Sequence, residues 1–270
     1  MTVLALDPAT LGDRLRGATD RGEILLHFQP QVALRTGAVV AVEALARWRT
    51  ASLALIPPEH FIRVAEENGT IAAFGQWVLR SACRQLSRWR ADGLGPLRVA
   101  VNVSARQPLD EAFAAVVLRT LEEAGVAPTD VELELTEGQL IADLDRTAVA
   151  LDALRRHGIR ISIDDFGTGF SSLSRLKRLP VDAVKLDRSF IRELPHDAGN
   201  ATITSAIIAL AHGLGLEVIG EGVESRPQLA FLRDHGCDVI QGFLLSRPLS
   251  AESCAGWIRS YQPVDPSLVV

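Results

Sequence analysis

Residues that staple or cross-link small proteins are scarce in this chain: 270 residues hold three cysteines (Cys83, Cys237 and Cys254), one methionine and one tyrosine. Cysteines so far apart form neither a CxxC metal pair nor a disulfide framework, which points to a reducing compartment. The aromatics, 9 Phe, 4 Trp and 1 Tyr, are too few for a base-stacking platform. There is no basic block, and a net charge of −5 argues against polymeric nucleic acid as partner. No apolar run reaches the roughly 18 residues of a membrane span, and Met1-Thr2-Val3-Leu4-Ala5-Leu6-Asp7 is too short and uncharged for a signal peptide. What the chain does have is apolar residue, 47% against 23% charged, enough for a substantial core and too much for disorder. A soluble cytoplasmic globular protein is the expectation.

Eight short apolar or alternating runs read as strands: Ile24–Gln29, Val39–Leu45, Leu97–Val103, Val131–Thr136, Ile159–Asp164, Ala183–Leu186, Glu217–Gly220 and Val239–Leu244. Several are β-branched and almost continuously apolar, as strands buried on both faces of a parallel sheet must be. Helical segments sit between most of them, at Pro58–Asn68, Phe74–Ala91, Leu109–Ala124, Asp143–His157, Asn200–His212, Arg226–His235 and Ala251–Ser260. Gly69, Gly93, Gly125, Gly158, Gly213 and Gly236 follow helices, where left-handed caps belong. This rhythm over residues 21–262 is that of an α/β (β/α)8 barrel, which needs about 250 residues. An open doubly wound sheet is the alternative, but no strand–GxGxxG–helix unit stands near the start. Residues 1–20 read as a linker or capping helix, N-capped at Asp7-Pro8, and residues 263–270 as a loose tail.

One joint departs from the rhythm. Val32-Ala33-Leu34-Arg35-Thr36-Gly37-Ala38 is too short for a crossover helix and predicts a hairpin turn at Thr36-Gly37, so one of the first two strands runs antiparallel to the rest. Pairing Arg35 with Ala38 puts position 29 opposite 44 and Gln29 beside Glu43.

Each strand carries a polar residue near one end: Gln29, Glu43, Asn102, Glu134, Asp164 with Asp165, Lys185, Glu221 and Gln241. A lone glutamate at a strand end is most often a surface ion pair; polar residues on all eight strands converging on one barrel face form a site. Five carboxylates (Glu43, Glu134, Asp164, Asp165 and Glu221) with one lysine cannot share a mouth as bare anions. Two divalent cations would neutralise the remaining −4. All the donors are oxygens, which favours Mg²⁺ or Mn²⁺ over Zn²⁺. Such a pair, about 3.5–4 Å apart, serves in-line hydrolysis of phosphodiesters.

The motifs then become specific. Glu43-Ala44-Leu45-Ala46-Arg47-Trp48 carries the tripeptide that names the EAL family of cyclic di-GMP phosphodiesterases. The chain resembles that family through Phe28-Gln29-Pro30, Pro57-Pro58-Glu59-His60-Phe61, Asn102-Val103-Ser104, Glu134-Leu135-Thr136-Glu137 and Asp164-Asp165-Phe166-Gly167-Thr168-Gly169. It continues through Lys185-Leu186-Asp187-Arg188-Ser189-Phe190, Glu221-Gly222-Val223-Glu224 and Gln241-Gly242-Phe243, in family order over about residues 20–260.

The resemblance implies a modified TIM barrel with one antiparallel strand near the N-terminus and hydrolysis of cyclic di-GMP to linear pGpG by two-metal activation of water. It implies that Glu43, Asn102, Glu134 and Asp164 hold the first metal and Asp164, Asp165 and Glu221 the second. Lys185 would position or activate water, and Gln29, Leu45, Arg47, Asp187, Glu224 and Gln241 would meet substrate or water. Glu137 would anchor the Gly167-Thr168-Gly169 loop, which the residues alone read as a phosphate cradle. Mg²⁺ or Mn²⁺ would support turnover and Ca²⁺ inhibit it. A homodimer and a fused or separate sensory or GGDEF module are the expected partners. Phe170 and Phe243 stand where the family usually has Tyr.

Two alternatives remain open: a catalytically weak receptor for cyclic di-GMP, and a two-metal barrel acting on another diester. The six histidines read as structural or solvent-facing, Trp77 and Trp89 as core or interface, and Cys83 and Cys237 as buried small apolar residues.

Overall fold

The computed structural model describes residues 8–50, 55–136, 138–139, 144–167, 176 and 178–262. Strands β1 (Ile24–Ala33) and β2 (Val39–Arg49) form the expected antiparallel hairpin. Gly37, at φ 67°, makes the turn that a side chain would strain. The register differs from expectation: Gln29 lies directly opposite Glu43, not Ala44. The turn is closed by Ala33 N–H donating to the Ala38 carbonyl, so Ala33 rather than Arg35 pairs with Ala38, and a bulge between Gln31 and Val32 absorbs the offset.

From β2 the sheet runs parallel through β4 (Arg98–Val103), β5 (Val131–Thr136), β6 (Arg160–Phe166), β7 (Ala183–Leu186), β8 (Glu217–Gly220) and β9 (Val239–Ile240). β9 then pairs antiparallel with β1 and closes the barrel, so β1 is the reversed strand of the eight. Two short strands the sequence reading did not anticipate, β3 (Leu55–Ile56) and β10 (Leu249–Ser250), extend the rim beside β2 and β1.

The last barrel strand stops at Ile240, four residues before the sequence suggested. A Cβ on Gly242 would lie 2.1 Å from the Val223 carbonyl oxygen, so the chain must leave the sheet there to pass under that backbone. Gly213 likewise proves to be the last residue of its helix, and the left-handed position falls to Gly215 at φ 76°.

The helices are α1 (Pro8–Leu15), α2 (Pro58–Glu67), α3 (Ile71–Ala91), α4 (Glu111–Ala124), α5 (Leu144–Arg156), α6 (Arg188–Ile191), α7 (Ala198–Gly213), α8 (Arg226–Asp234) and α9 (Ala251–Ser260). Their starts follow local chemistry. Asp110 accepts from Phe113 N–H, Asp197 from Asn200 N–H, and Ser225 with Gln228 forms a capping box.

Outward-facing strand residues such as Val99, Val101, Leu133, Leu135, Ile161 and Ile163 pack with Leu86, Val117, Leu121, Leu151 and Leu154 of the helices in one core. Each such burial contributes about 1.5–3 kcal/mol. Trp89 meets Phe28 edge-on at 4.7 Å, and Cys83, Cys237 and Cys254 are buried, free thiols. A second cluster seats α1 on α2, with Leu11 and Leu15 against Trp48, Phe61 and Val64. No helix among the described residues is long and apolar enough to cross a membrane.

The barrel's inside is different. Gln29, Gln31, Glu43, Glu132, Glu134, Ser162, Lys185 and Gln241 are all buried. Such groups cost free energy to desolvate and persist only where paired or used. At the end where the parallel strands start, Glu132 pairs with Arg160 at 3.1 Å and Arg160 with Glu217, closing the lumen. At the other end no such neutral balance is reached.

Candidate active site

The carboxyl ends of the parallel strands gather the polar residues of the sequence pattern. Lys185 on β7 stands at the centre, fully buried. Its Nζ lies 2.7 Å from Glu221, 2.8 Å from Glu134, 3.1 Å from Asp164 and 3.9 Å from Glu43. Glu43 and Glu134 reach it from inward positions of β2 and β5, and Glu221 from the residue just past β8. Asn102, near the end of β4, donates to Glu43 Oε1 at 2.7 Å.

Alternation along a strand should send Asp164 and Asp165 to opposite faces of the sheet. They share the mouth because β6 breaks register with β7 between Ile163 and Phe166, and Asp165 adopts φ 53°. Non-glycine residues rarely take that conformation, Asp and Asn least unwillingly. As a result, oxygens of Asp164, Asp165 and Glu221 lie within 4.8 Å of one another.

The two deepest carboxylates are pushed in opposite directions. Burial would raise Glu43, but the Lys185 ammonium and hydrogen bonds from Gln241 and Asn102 overrule it and hold Glu43 below the usual range. For Glu134, burial and the charge of Glu43 push the group well above that range, with Lys185 offsetting only part. The difference lies in hydrogen bonding: both Glu134 oxygens are buried without an aligned donor. Glu221 is pushed up to about 8, first by burial and then by Asp164 and Glu43. Asp165 is raised by burial and by Asp164. Burial opposes the charge on Lys185, yet Glu134, Glu221, Glu43 and Asp164 raise it well above its usual value.

One ammonium does not balance five carboxylates, and Glu134, whose oxygens have no aligned hydrogen-bond donor, shares its Lys185 counterion with Glu43, Asp164 and Glu221. Hard oxygen donors at this spacing fit divalent cations such as Mg²⁺ or Mn²⁺. The residues present therefore fit the cofactor that their chemistry implies.

Above them opens a cavity of about 300 Å³, whose lining includes Gln29, Glu43, Leu45, Asp164, Asp165, Asp187, Glu221, Glu224, Gln241 and Phe243. Leu45, Asp187 and Glu224 thus stand at the mouth. Arg47 is not among the lining residues; its Nη1 donates to the Ala46 carbonyl at 2.8 Å. Phe243, 46% exposed, sits at the rim with the Arg247 guanidinium 4.2 Å above its ring. Glu137, Thr168, Gly169, Phe170 and the tail 263–270 lie outside the described residues.

Sequence reasoning missed a supporting layer. Gln31 donates to Gln241 Oε1 at 2.8 Å, and Gln241 Nε2 donates to Gln29 Oε1 and Glu43 Oε2. Gln29 in turn donates to the Ser246 carbonyl at 3.0 Å. Beside Asn102, Ser104 Oγ donates to Glu66 of α2 at 2.7 Å, and the Ser104 carbonyl accepts from buried Gln139 at 2.8 Å. Gln31 was legible from its spacing, two residues beyond Gln29 on the same strand face; the Glu66–Ser104 contact crosses elements and leaves no local trace.

Comparison with known proteins matches residues 13–248 to the family model described as the EAL domain. The chain is 44% identical over 262 residues, 97% of its length, to the cyclic di-GMP phosphodiesterase NbdA of Pseudomonas aeruginosa. It is 44% identical over 238 residues, 88% of its length, to the bifunctional diguanylate cyclase/cyclic di-GMP phosphodiesterase MucR of the same organism. The chain spans about a third of these relatives, 34% and 35% of their lengths. The solved structure described as PaMucR phosphodiesterase in complex with c-di-GMP superposes with a TM-score of 0.86 at 44% identity, covering 91% of this chain and 99% of that one.

Proposed function

Because the chain belongs to the EAL-domain family, we propose that it is a metal-dependent phosphodiesterase that hydrolyses cyclic di-GMP to linear pGpG. The observation that carries this reading is the knot of buried carboxylates around Lys185, opening on a cavity beside Asp164, Asp165 and Glu221.

In this reading Glu43, Asn102, Glu134 and Asp164 hold one divalent cation, and Asp164, Asp165 and Glu221 the other. Bound there, Mg²⁺ or Mn²⁺ would supply a polarised water and offset the charge of the phosphate. The water oxygen bonds to phosphorus, the bond from phosphorus to the 3′-oxygen breaks, and that oxygen leaves with a proton. Lys185 sits within reach of the same space, and its desolvated ammonium stabilises charge growing on the phosphoryl oxygens. Gln241 and Gln29, linked by their amides, orient the Glu43 carboxylate and the water near it. Leu45, Asp187 and Glu224 border the nucleotide. Arg47 is proposed as a phosphate contact that must swing from the Ala46 carbonyl to serve, and Glu137 as the anchor of the loop after β6.

We extend the proposal to a cytoplasmic homodimer under a sensory or GGDEF module. The buried free thiols fit a reducing compartment, and a relative named as bifunctional supports the module. Incubation with cyclic di-GMP and Mg²⁺ or Mn²⁺, followed by separation of the nucleotides, tests the activity. Formation of pGpG is expected. Tight nucleotide uptake with no product under either metal would replace the enzyme by a receptor.

A further inference from the structure

Gln31 sits in the barrel lumen 1% exposed, beneath the mouth and outside the cavity-lining set. Its Nε2 donates to Gln241 Oε1 at 2.8 Å. Gln241, also buried, presents its Nε2 to Glu43 Oε2 and, at 3.1 Å, to Gln29 Oε1. A primary amide has one acceptor end and one donor end, and nothing in its shape distinguishes them. Next to the Glu43 carboxylate the donor end must face the oxygen it meets; turned over, carbonyl and carboxylate oxygens would oppose each other at hydrogen-bond distance. What keeps the amide from turning is the donor behind it, Gln31.

We propose that Gln31 is a positioning residue that sets the orientation of the Gln241 amide and, through it, the aim of the Glu43 carboxylate and the Gln29 side chain. The polarity runs one way along the chain of amides: Gln31 donates to Gln241, Gln241 to Gln29 and Glu43, Gln29 to the Ser246 carbonyl. The bulge after Gln31 is part of the device. Up to Gln31 the pairing is Gln29 with Glu43 and Gln31 with Ala41, so Gln31 faces inward across from a small residue that leaves its amide room; beyond it the register shifts. A direct role at substrate is not required, since the contact is made from below. The assignment rests on the proposed metal-dependent hydrolysis, but its first consequence, the pose of a metal-binding carboxylate, can be read without turnover.

The experiment compares the intact chain with Gln31→Leu, Gln241→Ala and the double variant. Mn²⁺ binding is measured by calorimetry, kcat and KM with cyclic di-GMP, and folding by thermal melting. Gln31→Leu is expected to lower kcat about tenfold and to weaken Mn²⁺ binding, with KM changed less than about twofold. In the Gln241→Ala background the same change should have no further effect, because its target is gone. Equal losses in both backgrounds, or wild-type kcat and Mn²⁺ affinity in Gln31→Leu, overturn the proposal. Should Gln31→Leu fail to fold, Gln31→Glu decides. Its carboxylate cannot donate to Gln241 and instead draws the amide's N–H groups away from Glu43, so activity and Mn²⁺ affinity retained in that variant also overturn it. A wild-type chain that binds Mn²⁺ but never cuts cyclic di-GMP would sink the functional reading alone, and the calorimetry would still judge Gln31.

Discussion

Asp164 and Asp165 are consecutive on one strand, yet both offer oxygens to the same mouth, within 4.8 Å of each other and of Glu221. A regular strand would send one of them into the helix layer. The register break in β6 and the φ of 53° at Asp165 bring the second carboxylate round. Backbone held in this region costs about 1–3 kcal/mol and persists where the surroundings impose it, commonly at functional sites.

Asp165→Asn separates the charge from the conformation, because asparagine tolerates the left-handed region as well as aspartate does. The variant should match wild-type stability within about 0.5 kcal/mol and lose at least about 100-fold in kcat. Retained turnover would remove Asp165 from the metal-binding set.

Lys185→Met keeps volume and removes the cation from among four carboxylates. Breaking a buried ion cluster from one side costs about 3–5 kcal/mol, so the metal-free variant should melt far below wild type. Mn²⁺ should restore most of the difference, by mass action on the folded form. Turnover should stay low even at saturating Mn²⁺, with kcat falling more than KM rises. Loss of stability that Mn²⁺ does not repair would point to packing instead.

Metal affinity should depend on pH through Glu221. Its pKa is pushed up to about 8 from the ordinary 4.5, so between those values the ion-free folded protein carries a proton that the unfolded chain has lost. That contribution to stability is fully present below about 4.5 and disappears as pH rises through about 8, so the ion-free protein should melt lower as pH climbs across this window. A cation competes with the proton, so its affinity should rise over the same range, with proton release detectable by calorimetry in buffers of different ionisation enthalpy. Affinity independent of pH from 5 to 8 would contradict Glu221 as a ligand.

Calcium provides a test of geometry. Its longer bonds and variable coordination suit the same oxygens but not an in-line arrangement tuned to a smaller ion. Cyclic di-GMP should bind in Ca²⁺ with little pGpG formed, and exchange into Mn²⁺ should start turnover. Equal rates in both ions would argue against a two-metal reaction.

Much of this molecule is written in local pattern. The apolar or alternating runs at Val131–Thr136, Ala183–Leu186 and Glu217–Gly220 became strands with those bounds, because their outward residues pack under the helices while Glu134 and Lys185 point into the barrel. The short Thr36-Gly37 connection could only make a hairpin, which placed one reversed strand among parallel ones. Polar residues at strand ends announced the mouth, since a buried charge has no reason to recur there without use.

What tertiary structure alone decided is how those residues face one another. Bulges shift register without leaving a local signature, and two of them govern the site: one after Gln31 sets Gln29 opposite Glu43, and one in β6 turns Asp165 inward. The opposite pKa shifts of Glu43 and Glu134 follow from amide donors that reach one carboxylate and not the other, across strands distant in sequence. Composition can state that five carboxylates and a lysine share a mouth. Which of them is hydrogen-bonded, buried or bent into place depends on backbone geometry summed over the whole closed sheet, and no window of sequence contains that.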